Sequence, residues 1–455
     1  MRLHDTALGH PADLVPRQAG KVSMYVCGPT VYDHPHVGHG RFLLVFDVLR
    51  RYLEWCGMVV TYVSNVTDID DKIINRANRE GRTPEDVSVE FEKAWYDAVD
   101  RLGVKRPTHD PHATAYVSEM VAWVDGLVGA GVAYETSDGV YLSVAAVPDY
   151  GLLKSGQSLD DMRAGARVEI NEEKGSARDF ALWKKVKPGE PSWPSPWGPG
   201  RPGWHTECVV MALDLLGEGF DIHGGGQDLA FPHHENERAQ AVAAGKEFAR
   251  RWAHNGFVVV GGEGGAVKMS KSLGNFTSLT DLLASHDPRA YRLLVLQSHY
   301  RAPVEVTPTS LEQASATLRG LDDFVRRAGD ASVGAAPDEA AVAAFRAAMD
   351  DDLSTPAVVA LLSDLRRRAN VHLDAGEPAA AGPLAAAVQE ISGAVGLRLG
   401  PGVEEAIPAD VADLVTRRDQ ARADRDFGAA DALRDELVAM GWVVEDTASG
   451  TKVHQ

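Results

Sequence analysis

A chain of 455 residues, 44% hydrophobic and 24% charged, fits a globular protein with a large core and about three domains at roughly 150 residues each. Its formal net charge of −19 argues against broad, non-specific binding to nucleic acid, although a local basic patch can still read RNA by shape. It has no long apolar run, no apolar signal-peptide core after Met1 and only three cysteines, so no membrane span, no signal peptide and no disulfide framework are expected, and a cytoplasmic setting is.

In chain order, Val22 to Val26 reads as a short buried strand, followed by a Gly/Pro/His loop through Gly40. From Arg41 to Trp55 the residues Phe42, Val45, Phe46, Leu49 and Leu53 recur at a helical period. Val59 to Val63 is a second β-branched and aromatic run. Strand, glycine loop, helix and strand open a parallel α/β sheet. Asp70 to about Arg79 and Pro84 to about Leu102 read as helices. Residues 108–204 have a mixed pattern and read as an insertion, ending in a Pro- and Trp-rich extended loop over 186–204. Sheet elements resume around Phe220 to His223, followed by Gly224-Gly-Gly226. Pro232 to Ala244 reads as a helix and Phe257 to Val260 as another strand. After about Pro308 the chain is alanine-rich and helical, with breaks at 331–337 and 374–379 that divide a bundle. Leu399-Gly-Pro-Gly402 reads as a linker. Beyond it, one or two helices between about Ala409 and Met440 precede a short hairpin at Trp442-Val-Val444. Cys56 follows the helical pattern of 41–55 and reads as buried and inert.

Two motifs point to nucleotide chemistry. His36-Val-Gly-His39 stands just before a helix, where Gly38 permits close backbone approach and the helix N-terminus favours an anion. Its imidazoles suit charge developing on an α-phosphate. Lys268-Met-Ser-Lys-Ser272 puts two lysines and two hydroxyls on a loop between Gly261-Gly-Glu-Gly-Gly265 and Gly274, the pattern of a mobile lid that neutralises leaving pyrophosphate. Cys27, just ahead of the first motif, and Cys208, His233 and Glu237, between the two, are two thiolates, an imidazole and a carboxylate of the kind that binds zinc. Helical spacing puts His233 and Glu237 one turn apart on one face. Cys208 and His233 are too far apart for a compact finger, so this assignment rests on the flanking motifs.

The paired motifs resemble those of the class I aminoacyl-tRNA synthetases. The stretches 24–33, Asn65-Val-Thr-Asp-Ile-Asp-Asp-Lys72, 202–208, 221–229, Phe231-Pro-His-His-Glu-Asn-Glu237 and 268–275 narrow the resemblance to the cysteinyl-tRNA synthetase family. It continues more weakly through Met349-Asp-Asp-Asp-Leu-Ser-Thr-Pro356 and 429–437. The resemblance implies a Rossmann-type catalytic domain in two halves, 1–107 and 205–257, split by a connective insertion at 108–204. A lysine-motif and stem-contact region (258–308), a helical bundle (309–399) and a small α+β anticodon-binding domain (403–455) follow. It implies one Zn²⁺ at Cys27, Cys208, His233 and Glu237, joined by the substrate thiolate. Thr67, Trp204 and Asp228 match positions around the amino acid. His36, Gly38, His39, Lys268, Ser270 and Lys271 match the ATP site, with the two histidines and two lysines catalytic. His205, His223, His234 and Glu235 stay outside the metal set, the last two expected to face elsewhere on the helix.

The implied substrates are L-cysteine, ATP with Mg²⁺, and tRNA(Cys), and the implied state is a monomer. No editing domain is evident, and thiol ligation makes one unnecessary. Arg417, Arg418, Arg422, Arg425 and Arg434 are candidate RNA-facing cations, and Trp442 a candidate base-stacking residue. The rival reading is a cysteine–amino-sugar ligase of thiol biosynthesis, which resembles this family but lacks the glutamate at 237 and the C-terminal domain.

Overall fold

The computed structural model describes residues 1–153, 173–262, 265–268, 278–400, 409–447 and 450–454. A hairpin of β1 (Arg2–Asp5) and β2 (His10–Asp13) opens the chain. Strand β3 (Lys21–Val26) then enters the core with a period of two. Val22, Met24 and Val26 join one apolar cluster; Tyr25, with Cys27 just past the strand, joins another. Cys27 therefore faces away from the helix that follows.

That helix, α1 (Val37–Trp55), starts inside the histidine motif rather than after it. The cause is local: the His36 side chain accepts from His39 N and the His39 side chain accepts from His36 N, a capping box made of imidazoles. Strand β4 (Val59–Val63) returns parallel to β3. Helices α2 (Asp71–Glu80) and α3 (Pro84–Arg101) are N-capped by Asp70 and Thr83.

In the mixed-pattern segment, α4 (Val117–Gly129) packs near an antiparallel sheet of β5 (Ala133–Glu135), β6 (Gly139–Leu142), β7 (Phe180–Lys185) and β8 (Gly200–Pro202). The Pro/Trp loop is thus not wholly irregular. Its end pairs with β7 at the sheet edge, where a proline's missing N–H does no harm.

Helix α5 (Trp204–Leu216) leads back to the central sheet. The three glycines expected after the next strand lie inside it: β9 is Ile222–Gly226. A Cβ on Gly224 would stand 2.3 Å from the Phe46 ring, so only glycine lets α1 pack this closely. The helix expected over 232–244 is shorter. Phe231 takes extended angles (φ −143°, ψ 130°), as a residue before proline prefers, and the regular helix α6 is Glu235–Ala243. Strand β10 (Arg251–Asn255) was not anticipated, since Arg-Trp-Ala-His-Asn has no β-branched residue and no alternation. It pairs parallel with β9, giving the order β10-β9-β3-β4.

The strand expected near 258 lies outside this sheet. Strands β11 (Val258–Gly262), β12 (Gly265–Lys268) and β13 (Val304–Glu305) form a second sheet, with α7 (Leu279–Ser285) and α8 (Pro288–Leu296) between the last two. Helices α9 (Pro308–Ser332), α10 (Glu339–Asp350), α11 (Thr355–Asp374) and α12 (Pro378–Ala394) make the bundle, sharing one apolar cluster with α1. Met1–Leu399 is one compact unit. Gly400–Gln455 is a second, with α13 (Ala409–Ala423), α14 (Phe427–Ala439) and the hairpin β14 (Val443–Thr447) and β15 (Gly450–His454) around its own small core. No helix among the described residues is long and apolar enough to cross a membrane.

Candidate active site

Cys27 follows the carboxyl end of β3, Cys208 lies on the first turns of α5, His233 on the turn after Phe231, and Glu237 on α6. All four are buried, and each offers a ligand atom within 4.8 Å of the others'. The separations are 3.7 Å between the two Sγ atoms, 3.6 Å from Cys208 Sγ to His233 Nε2, 3.4 Å from Cys27 Sγ to Glu237 Oε1 and 3.0 Å from His233 Nε2 to Glu237 Oε1. A tetrahedral zinc with bonds of about 2.3 Å to sulfur and 2.0 Å to nitrogen needs edges of roughly 3.8 Å (S···S) and 3.5 Å (S···N). The donor set fits that ion in number, type and spacing.

The electrostatics point the same way. Burial, then the Cys208 thiol and Glu237, push the Cys27 thiol well up; burial pushes Cys208 up to about 11. Burial, then His205 and His223, hold His233 well below its ordinary value, so its ring is neutral. Two thiols crowded by a carboxylate resist ionising alone, and a divalent cation reverses that balance.

A second layer orients these donors. His223 hydrogen-bonds Glu237 Oε2 at 2.7 Å and Tyr25 O at 3.2 Å. His205 Nδ1 meets His233 Nδ1 at 2.8 Å, and the Trp204 ring stacks on His233 at 3.9 Å. Contrary to expectation, His234 does not face elsewhere. The break at Phe231 turns it inward, stacked on His223 at 4.2 Å and bonded through Nδ1 to His254 Nε2 at 2.8 Å. Glu235 is buried too and accepts from Leu153 N and Arg238 Nη1.

Thr67 is buried beside the cluster. Its hydroxyl donates to Glu207 Oε2 at 3.0 Å and accepts from Asn65 Nδ2 at 3.1 Å. Asn65 Oδ1 accepts from Gly28 N at 3.0 Å and lies 3.8 Å from Cys208 Sγ. Burial, then Asp70, raises the Glu207 carboxyl well above its usual range. Asn65, Glu207 and His223 had no role in the sequence reading. Glu207 had one usable signal, a carboxylate directly beside Cys208 at the start of a largely apolar helix. Asp228 is not drawn into this network: it is exposed, on the single turn after β9.

At the start of α1 the rings of His36 and His39 stack at 3.7 Å. Each Nδ1 accepts a backbone N–H, at 3.2 Å in both cases, so each ring keeps Nε2–H as its donor. Gly38 lies half-buried between them. His36 also bridges to Ser278, where the chain returns from the lysine motif. Lys268 ends β12 opposite Val259; Ser270 and Lys271 lie outside the described residues. Cys56 caps the far end of α1, half-buried rather than buried, within 3.4 Å of Arg346 Nη1.

The family model for the class I (C) tRNA synthetase catalytic domain matches residues 13–316. The DALR domain matches 344–400 and the cysteinyl-tRNA ligase anticodon-binding domain 404–453. The cysteine–tRNA ligase of Caldicellulosiruptor saccharolyticus is 43% identical over 468 aligned positions, covering 100% of both chains. That of Alkalilimnicola ehrlichii is 45% identical and covers 99% of both. The chain belongs to the cysteine–tRNA ligase family. As a cysteine–tRNA ligase family member it is an aminoacyl-tRNA ligase. Its fold is that of the class I synthetases, a parallel α/β sheet followed by helical C-terminal parts. A Mycobacterium tuberculosis methionyl-tRNA synthetase in complex with methionyl-adenylate shares it at a TM-score of 0.62 and 15% identity, over 90% of this chain and 96% of that one. A putative arginyl-tRNA synthetase from Campylobacter jejuni does so at 0.57 and 13%, over 83% and 93%.

Proposed function

We propose that this ligase activates L-cysteine with ATP and Mg²⁺ to cysteinyl-adenylate and pyrophosphate, then transfers the cysteinyl group to the terminal adenosine of tRNA(Cys). The observation that carries this reading is the buried Cys27, Cys208, His233 and Glu237 donor set at the carboxyl end of the parallel sheet, where open α/β sheets bind ligands. Cys27, Cys208, His233 and Glu237 would hold a zinc ion, which supplies a soft Lewis acid that ligates the substrate thiol and lowers its pKa.

The protein's own groups do the rest. His223 fixes the Glu237 carboxylate, and Trp204 with His205 fixes the His233 ring. Thr67, held between Asn65 and Glu207, lines the amino-acid side, and Asp228 on its exposed turn offers a carboxylate to the substrate amine. The cysteine carboxylate attacks the α-phosphorus in line and pyrophosphate leaves. The Nε2–H groups of His36 and His39 donate to the charge that grows there, Gly38 leaves room for the phosphates, and Lys268, Ser270 and Lys271 neutralise the leaving pyrophosphate. No enzyme nucleophile is required; positioning and charge stabilisation carry the step.

In the C-terminal unit, Trp442 is buried in the small core and Arg418 is buried against Thr451, so neither is the RNA-facing group expected of it. Exposed Arg417, Arg425 and Arg434, with Phe427 at 64% exposure, are the better candidates for meeting the anticodon end. Glu237 and the match over 404–453 count against the amino-sugar ligase. The test is amino-acid-dependent pyrophosphate exchange across a panel, followed by transfer to tRNA. Cysteine alone should support exchange, with about one zinc per chain by metal analysis. Active enzyme without zinc would overturn the metal role, and exchange driven equally by serine would overturn the selection.

A further inference from the structure

Arg41 is 1% exposed, yet among the described residues no carboxylate pairs with it. It lies on α1 just after the histidine motif, and its guanidinium meets only backbone carbonyls. Nη1 donates to Phe257 O at 2.6 Å; Nη2 donates to Tyr300 O at 3.0 Å, to His299 O at 3.3 Å and to Ala302 O. These carbonyls belong to two crossing segments. Phe257 immediately precedes β11, the strand that turns into β12 and ends at Lys268. Residues 299–302 lead into β13, which pairs with β11. The crossing is already bonded, Gly256 N to Tyr300 O at 2.9 Å and Val304 N to Phe257 O at 3.0 Å, so Arg41 takes the remaining acceptor capacity of both carbonyls.

A buried cation without a counter-ion is costly, and a hydrophobic residue would satisfy the core more cheaply. The planar fork presents separate nitrogens to the two segments, Nη1 to Phe257 O and Nη2 to Tyr300 O, a spacing the single nitrogen of a lysine ammonium does not have. Burial lowers the Arg41 pKa only to about 10, so the group stays charged at neutral pH. The same junction is held from behind: Asp352 Oδ1 accepts from Tyr300 Oη at 2.8 Å and from His4 N at 2.7 Å, while its Oδ2 accepts from Arg301 Nε at 2.9 Å. Asp352 and Leu353 sit at φ 56° and 53° to present that carboxylate, a conformation non-glycine residues rarely adopt.

We infer that Arg41 is a positioning residue for the activation step: it pins the root of the β11–β12 hairpin, and through it the backbone of Lys268 where the lysine motif begins, to the helix that carries His36 and His39. The inference rests on the proposed activation chemistry and adds a part to it. Losing the fork loosens the backbone that leads to Lys268 while leaving the amino-acid side of the site intact, because none of the buried donors touches Arg41.

The test is cysteine-dependent pyrophosphate exchange with full-length Arg41→Lys. The turnover number should fall at least about tenfold, since small misplacement of catalytic groups is expensive. KM for cysteine and zinc content should stay within about twofold, as interactions made only in the transition state behave this way. In a Lys271→Ala background the same change should cost less than about twofold, because the two act through one loop. Gly256→Ala disturbs the same junction independently, since its Cβ would meet Arg301 O at 2.4 Å; it should reproduce the loss of turnover at constant KM. If either variant fails to fold, the other decides. Wild-type turnover in the folded variants, an equal fold-loss with and without Lys271, or parallel losses of zinc and cysteine binding would overturn the role. Wild-type enzyme that shows no cysteine-dependent exchange would instead sink the activation reading itself.

Discussion

Glu237 is gripped from two directions: its Oε1 faces His233 and Cys27, its Oε2 faces His223. Replacing His223 with Gln should therefore weaken zinc retention about 10–100-fold, the usual effect of losing an outer-shell partner. Chelator competition measures this. The two other kinds of cysteine separate cleanly. Cys208→Ser removes a proposed ligand and should strip zinc and cysteine activation together. Cys56→Ser should leave both intact and shift stability by less than about 0.5 kcal/mol, because that half-buried thiol lies at the far end of α1. Unchanged metal content in Cys208→Ser would refute the ligand set.

At the scale of elements, α1 packs at the centre of the first unit's largest apolar cluster. One face meets β9, where Gly224 leaves no space for a methyl group beside Phe46. Gly224→Ala should cost about 1–3 kcal/mol through overpacking, read as a lowered urea midpoint. Another face carries Asp47, fully buried, which accepts from Arg292 Nη1 at 2.7 Å, Arg51 Nε at 2.8 Å and Lys105 N at 2.9 Å. Asp47→Ala would leave Arg292 uncompensated and should cost about 3–5 kcal/mol. Burial raises the Asp47 pKa, but Arg292 and Arg51 outweigh it and the net shift is downward. A depressed aspartate contributes stability that is full above its unfolded value near about 3.9 and lost as pH falls through its lower folded value. Acid unfolding of wild type should thus steepen in that window, and Asp47→Ala should lack this component in its stability–pH curve.

For the whole molecule, the division at Leu399 and Gly400 separates two units with their own cores. Removing 401–455 should leave cysteine-dependent exchange near wild type while tRNA aminoacylation drops steeply. Equal loss of both would assign the tail a structural role. Serine should be rejected roughly 10⁴-fold or more in exchange, since a site built around one ligand atom penalises its absence. Comparable rates with serine and cysteine would count against thiol ligation.

How much of this was legible before folding follows from how local each signal is. The strands at 22–26 and 59–63 and the helix between them carry their own period, so their type and order could be read directly. Cys27, Cys208, His233 and Glu237 could be named from dense motifs, and their family with them. What no local pattern encodes is which distant groups share a space. Strand β10 has a poor strand sequence and exists because β9 offers it a parallel edge. His234 turns inward because Phe231 breaks the helix ahead of proline, and Trp442 and Arg418 are drawn into a core too small to exclude them. The Glu207 carboxyl is pushed above its usual range only because folding buries it, with Asp70 nearby. Residue chemistry and periodicity, short-range properties of the chain, determined most of the elements and the motifs, and the family resemblance those motifs carry implied the reaction class. Burial, pairing and the carbonyl cage around Arg41 depend on contacts between residues hundreds of positions apart, and those only the tertiary structure decided.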